Sequence, residues 1–254
     1  MRIKAIALNT FKEAIRDRIL YLLLFFAAMA IIFSRLLALL TVGDRVKIIK
    51  DVGFASLSLF GTLMAILIGT GLVYKEIDKK TIFTLISKPI HRWQFLFGKF
   101  LGLVLTLFVM ILLMSLIFLA LLFFHTFELE MSIFIAIFFI FIELVLITAV
   151  AILFSCFSTP ILSSIFSLSF YLIGHLSWGL EVLIKKIKPG PGRLLAWVVY
   201  AMLPDLENFN FKTEVVHGLP IPPNVYFYST FYGLAYTLFL LALATLVFKK
   251  RDFI

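Results

Sequence analysis

Residues 100–125 read FLGLVLTLFVMILLMSLIFLALLFFH, and after five residues the apolar run resumes at 131–154 as MSIFIAIFFIFIELVLITAVAILF. The first run contains no Asp, Glu, Lys or Arg; the second contains only Glu143. At 1.5 Å per residue a helix over either run outreaches the ~30 Å hydrocarbon core of a bilayer. A joint as short as 126–130 forces two such helices to stand antiparallel and adjacent. Working outward, the same test picks out Ile19–Leu40, Val52–Tyr74, Pro160–Leu180 and Tyr228–Phe248, with 155–159 as a second short joint. Six spans are expected. A further apolar stretch, Leu194–Leu203, ends at Pro204; it reaches only ~15 Å and is expected to lie at an interface or re-enter.

Composition agrees. Apolar residues make up 63% and charged residues 15% of the 254, with mean hydropathy +1.11. A soluble domain runs near ~45–50% apolar and ~25% charged, so the expected fold class is an all-α polytopic membrane protein, one permease-like domain over 1–254. The net charge of +9 reads as membrane orientation rather than nucleic-acid binding, because Lys and Arg collect on the cytoplasmic side. With the N-terminus inside, the inner segments hold Arg2, Lys4, Lys12, Arg16, Arg18, then Lys75, Lys79, Lys80, Lys88, Arg92, Lys99, then Lys249, Lys250 and Arg251, which is 14 of the 23 basic residues. The outer loops hold Arg45, Lys47, Lys50, Lys185, Lys186, Lys188, Arg193 and Lys212, which is 8, and Arg35 lies within a span. An N-in, C-in topology in a plasma (inner) membrane is expected.

Residues 1–18 place Ile3, Ala7, Phe11 and Ile15 on one helical stripe, widened by Leu8 and Ala14. They are expected to form an amphipathic helix along the cytoplasmic interface, with no cleavable signal peptide. Two long connections remain, 75–99 inside and 181–227 outside, and loops of that size carry structure or function. No convincing repeat relates the two halves, which argues against an inverted-repeat carrier.

Chemistry is sparse. Gly98-Lys99-Phe100 lacks the upstream glycine and the hydroxyl of a phosphate loop, so no ATP site is expected in this chain. HExxH and GxSxG are absent, the histidines (His91, His125, His175, His217) are scattered, and Cys156 is the single cysteine. No enzyme, resident cofactor or metal is expected. Glu143 sits at mid-span, where a charge is costly. It reads either as a pathway residue or, lacking a basic partner at its own depth, as a hydrogen-bonded packing residue. His175 reads as a packing histidine or a cavity-facing one. Gly61, Ala65 and Gly69 form a small-residue stripe on the second span, and Ser163, Ser167 and Gly174 form one on the fifth. Such stripes permit close helix contact within the chain, a subunit interface or a weakly polar path. Gly98 and Gly102 make a further, isolated GxxxG.

The segment Tyr74–Gly102, YKEIDKKTIFTLISKPIHRWQFLFGKFLG, opens with charges at a span end. It continues as a short amphipathic run through Ile77, Thr81, Ile82 and Leu85, and meets Pro89, which disfavours helix at Lys88. Physically this is expected to be a short helix parallel to the membrane, tied to two spans, or else a snorkelling interfacial hairpin with no partner. Taken with ALNTFKEAIRDR near the N-terminus, Leu203-Pro204-Asp205, Asn208-Phe209, His217-Gly218-Leu219-Pro220 and the closing Phe248–Phe253 run, it resembles the permease subunits of ABC-2-type transporters. The likeness is nearest to the branch of the nitrous-oxide-reductase maturation permease.

That resemblance implies a homodimer or heterodimer of six-span subunits joined to two copies of a separate cytoplasmic ATPase, which would bind ATP and Mg. Glu76–Ile86 would be the coupling helix, with Glu76, Lys80, Thr81, Leu85, Pro89 and Arg92 meeting the ATPase. Residues 1–18 would be the connecting helix, the second and fifth spans would line the path, and 181–227 would fold over the outer mouth. Transport would be outward. A stand-alone channel or secondary carrier using Glu143 and His175 is the competing expectation. Membrane lipids are partners under either reading, nucleic acid under neither.

Overall fold

The computed structural model describes residues 2–40, 44–78, 91–127, 130–186 and 190–250. Among these the regular elements are all helical: α1 (Arg2–Ile15), α2 (Arg18–Leu39), α3 (Arg45–Asp78), α4 (Arg92–Thr126), α5 (Met131–Ser155), α6 (Pro160–His175), α7 (Ser177–Lys186), α8 (Pro191–Met202), a 3-10 turn (Leu206–Phe209), α9 (Lys212–His217) and α10 (Pro223–Lys250). Five of them, α2, α3, α4, α5 and α10, are long and apolar enough to cross a membrane; α6 is a shorter apolar helix of 16 residues.

The centre of the bundle is α5. A helix that is apolar all round has no face to give to water and goes to the middle. Ile140, Leu144, Leu146, Ile147, Ala149, Val150 and Ala151 are all fully buried, against α3, α4, α6 and α10. The surface of the bundle is equally apolar. Leu22, Phe25, Phe26, Met29, Ile32, Phe33 and Leu36 of α2 and Ile161, Ile165, Leu168 and Leu172 of α6 stand exposed, a belt that only lipid or another apolar chain satisfies.

Helix α1 and the end of α10 lie at the same end of the bundle. Helix α1 packs along the start of α4, and Arg92, the first residue of α4, donates from Nη1 to the carbonyls of Phe248 (3.0 Å) and Lys249 (2.8 Å) at the close of α10. At the far end Lys50 of α3 meets Glu130 before α5, and Phe139, Phe211 and Tyr226 cluster their rings.

Three departures from the sequence expectation, two boundaries and one helix face, have a visible physical cause. Helix α3 begins at Arg45, seven residues before Val52, because Lys50 turns inward onto Glu130 and need not stay in a loop. Helix α6 stops at His175 rather than running to Leu180, because Leu206 and the Pro204 carbonyl press on Gly174 and the chain turns at Leu176 into α7. Helix α1 buries Thr10 beside Ala14 and leaves Leu8 exposed, so its inward face is shifted from the expected Ile3–Ala7–Phe11–Ile15 stripe widened by Leu8 and Ala14. Gly98 and Gly102 make room for it: a Cβ on Gly98 would meet Ile6 at 2.8 Å, and one on Gly102 would meet the Ala7 carbonyl at 2.5 Å.

Lys50 donates to both oxygens of Glu130 at 2.9 Å, and this holds the Glu130 carboxyl below the ordinary carboxylate range against a smaller opposing effect of burial. A depressed native value means that the pair stabilises the fold above the unfolded value and that this is lost as pH falls through the native one. Glu130→Gln is therefore expected to flatten the acid limb of the thermal-stability profile below about pH 4. The gain is modest because the Glu130 side chain is half exposed. An unchanged acid limb contradicts the pairing.

Candidate functional site

Two polar assemblies stand out against the apolar bundle, one at the terminal end and one at the middle of α5. At the terminal end, α4 is pinned twice. Arg92 caps the C-terminus of α10, where the carbonyls that lack helical partners and the negative end of the helix dipole favour a cation. Two turns on, Lys99 is 1% exposed and pairs with Glu13 of α1 at 3.5 Å, its ammonium also 6.0 Å from the Phe95 ring. The backbone N–H of His91 donates to Gln94 Oε1 at 3.3 Å and sets the helix start that aims Arg92. Glu76 lies in the last turn of α3. Lys80, Thr81, Leu85 and Pro89 lie outside the described residues.

The second assembly surrounds Glu143. This residue is completely buried in α5, and its Oε1 is 2.8 Å from Nε2 of His175 at the end of α6. The other imidazole nitrogen, Nδ1, is 3.5 Å from Oε2 of Glu207 in the 3-10 turn. Asn210 donates to Glu207 Oε1 at 2.8 Å. The Tyr171 ring stands edge-on to His175, and its hydroxyl is 3.3 Å from Ser58 Oγ, which also accepts from Lys212 Nζ at 2.9 Å. Glu143 Oε2 has no hydrogen-bond partner among the described residues.

Glu143 thus has a basic partner at its own depth, which the sequence reading denied it. The two helices run antiparallel from the 155–159 joint, and Glu143, twelve residues before the end of α5, and His175, fifteen after the start of α6, come out at similar heights.

The segment that supplies Glu207 is folded deep into the bundle. Leu206 and Phe209 are fully buried. A Cβ on Gly233 of α10 would meet Ile142 at 2.7 Å and Phe209 at 2.9 Å. Ile142 is eleven residues from the start of α5, so the 3-10 turn sits about 15 Å below the far end of the bundle. Asp205 starts the turn by accepting from the Glu207 N–H (3.2 Å) and from Ser177 Oγ (2.5 Å), while its own N–H donates to the Tyr232 hydroxyl (2.9 Å). Gly218, with φ of 66°, ends α9 in the left-handed conformation that releases the chain toward α10.

The small-residue stripes meet other helices of the same chain. Gly61 faces Leu144 and Ile111, Gly69 faces Ala151, and Ala65 is 2% exposed. Ser163 and Ser167 are fully buried, with Ser164 between them 2.9 Å from Thr70 of α3. Sequence reasoning missed Glu207, Lys99 and Glu13. The isolated GxxxG at Gly98–Gly102 was the available signal for the α1 contact that brings the last two together.

With this geometry in hand, comparison with known proteins is decisive. The profile described as "ABC-2 family transporter protein" matches residues 4–253, and the chain belongs to that family. It is a multi-pass transmembrane permease of the ABC transporter class, the membrane component of a transporter. No curated protein matches the chain.

Proposed function

We propose that this chain is the membrane-spanning half of an ATP-driven exporter worked by a separate cytoplasmic ATPase. The observation that carries the reading is the fastening at both ends of the 79–90 segment. On one side α3 is a single helix of 34 residues, about 50 Å long, well beyond the hydrocarbon core. On the other, α4 begins already clamped to α10 by Arg92 and to α1 by the Gly98–Gly102 groove and Lys99. A load on the loop reaches α3, α4, α10 and α1 together, which is what a coupling element requires.

The basic bias supports a cytoplasmic setting for this end and for both termini. Ends on one side require an even number of crossings, so α6 joins the five long helices as the sixth. Residues 203–222 then face outward and re-enter over the mouth of the bundle. Two such chains, identical or homologous, and two ATPase copies complete the transporter, and ATP and Mg bind on the ATPase. The likeness to the nitrous-oxide-reductase maturation branch rests on the loop and C-terminal motifs and leaves the cargo open.

Glu76→Arg, or Thr81→Pro, is expected to leave membrane insertion intact and to abolish ATP-driven transport. Normal ATP-driven transport with residues 79–90 scrambled overturns the coupling role. The competing reading, a carrier working through Glu143 and His175, predicts pH- or potential-driven flux from the chain reconstituted without an ATPase.

A further inference from the structure

We propose that Glu143, His175 and Glu207 form a proton-binding site whose occupancy seats the re-entrant turn on the bundle. The geometry counts protons. His175 touches a carboxyl on each side, Glu143 through Nε2 and Glu207 through Nδ1. To hold both, the pair of Glu143 and His175 has to carry two protons, one on Nδ1 and one shared between Nε2 and Glu143. Whether the shared proton rests on nitrogen or on oxygen, Nδ1–H still points at Glu207.

Removal of one proton leaves a carboxylate at Glu143 and a neutral ring with a single N–H. The buried carboxylate, its Oε2 unpartnered among the described residues, keeps that hydrogen. Nδ1 becomes a bare lone pair facing the Glu207 carboxylate, and the contact turns from attractive to repulsive. At 3.5 Å this contact is mostly electrostatic and depends on the charge state of its members.

The other groups facing the cluster fit this role. Lys212 on α9 is engaged with Ser58, Asp205 with Ser177 and the turn backbone, Tyr232 with the Asp205 N–H, and Tyr171 with Ser58. None of these contacts replaces the His175–Glu207 bridge. Glu207 itself is 41% exposed while Glu143 is fully buried, so protons reach the cluster through Glu207. The site is independent of the coupling loop and gives the permease a proton-sensitive seat for this turn.

The test uses the full chain in lipid nanodiscs with Cys156→Ala and a nitroxide on Asn208→Cys, an exposed position of the turn. Label mobility is read by electron paramagnetic resonance between about pH 6 and about pH 9.5. The wild-type background is expected to be immobile at the acid end, with its mobile fraction rising at least about threefold toward the alkaline end. Glu143→Gln is expected to remain immobile throughout, because the amide donates to Nε2 and leaves Nδ1–H for Glu207 at any pH. Glu207→Gln, at an exposed and tolerant position, is also expected to lose the transition, since its amide either accepts from Nδ1–H or donates to bare Nδ1. A wild-type label immobile across the range, or a transition of wild-type size in Glu207→Gln, overturns the proposal. No nucleotide is present, so neither result bears on the coupling reading.

Discussion

Gly102→Leu is expected to lift α1 off α4 and expose residues 2–15 to protease about tenfold faster than in the parent. An ideal Cβ at 102 lies 2.5 Å from the Ala7 carbonyl oxygen and 2.6 Å from Thr10 Cβ. The first of these is backbone and cannot rotate away, so the helix itself has to move. Overpacking of this kind costs about 1–3 kcal/mol, and about 1.4 kcal/mol corresponds to tenfold in an opening equilibrium. Because Glu13 moves with α1, the 3.5 Å pair with buried Lys99 opens as well. Coupled ATP-driven transport is expected to fall with it, since α1 is one of the four helices the loop loads. Gly71→Ala is the control, with nothing within 4 Å of its Cβ among the described residues. Cleavage of the Gly102→Leu chain at the parent rate removes α1 from the account.

His175→Ala is expected to be the most destabilising single change in the Glu143 cluster. It strips a completely buried carboxyl of its hydrogen-bond partner, and breaking a buried pair from one side costs about 3–5 kcal/mol. Replacing both members by apolar residues avoids that penalty, so Glu143→Leu with His175→Leu is expected to recover most of the loss. The check is a double-mutant cycle on unfolding of the purified chain in mixed micelles. A coupling energy near zero contradicts a direct Glu143–His175 interaction. Interhelical hydrogen bonds measured inside membranes average only about 0.6 kcal/mol, so a large coupling here also distinguishes an ion pair from an ordinary polar contact.

The helices were legible because the run of apolar residues sets their length and the bilayer sets the minimum. The 126–130 and 155–159 joints were readable for the same reason, as α4, α5 and α6 follow one another with almost no chain between. Boundaries failed where a polar residue finds a partner that sequence cannot pair. Lys50 looks like loop until Glu130, eighty positions away, takes it into a helix. The pairing failed likewise: Glu143 and His175 lie on different spans, and which faces of α5 and α6 meet is not set by either span alone. The Leu203-Pro204-Asp205 and Asn208-Phe209 motifs were visible as strings. Their role as a turn driven into the bundle depends on Gly174 and Gly233, which a one-dimensional reading gives no reason to connect. The α1–α4 seam is the intermediate case, because its GxxxG was present and lacked only the partner helix.

The most direct test of the central claim is purification of the tagged full-length chain in mild detergent, with bound soluble protein identified and ATP hydrolysis measured in the eluate. The account predicts a P-loop ATPase bound at one copy per chain, hydrolysing ATP, and lost when residues 79–90 are replaced by a Gly-Ser linker that leaves the chain inserted. A chain that purifies without an ATPase and supports pH-driven flux alone in liposomes contradicts it.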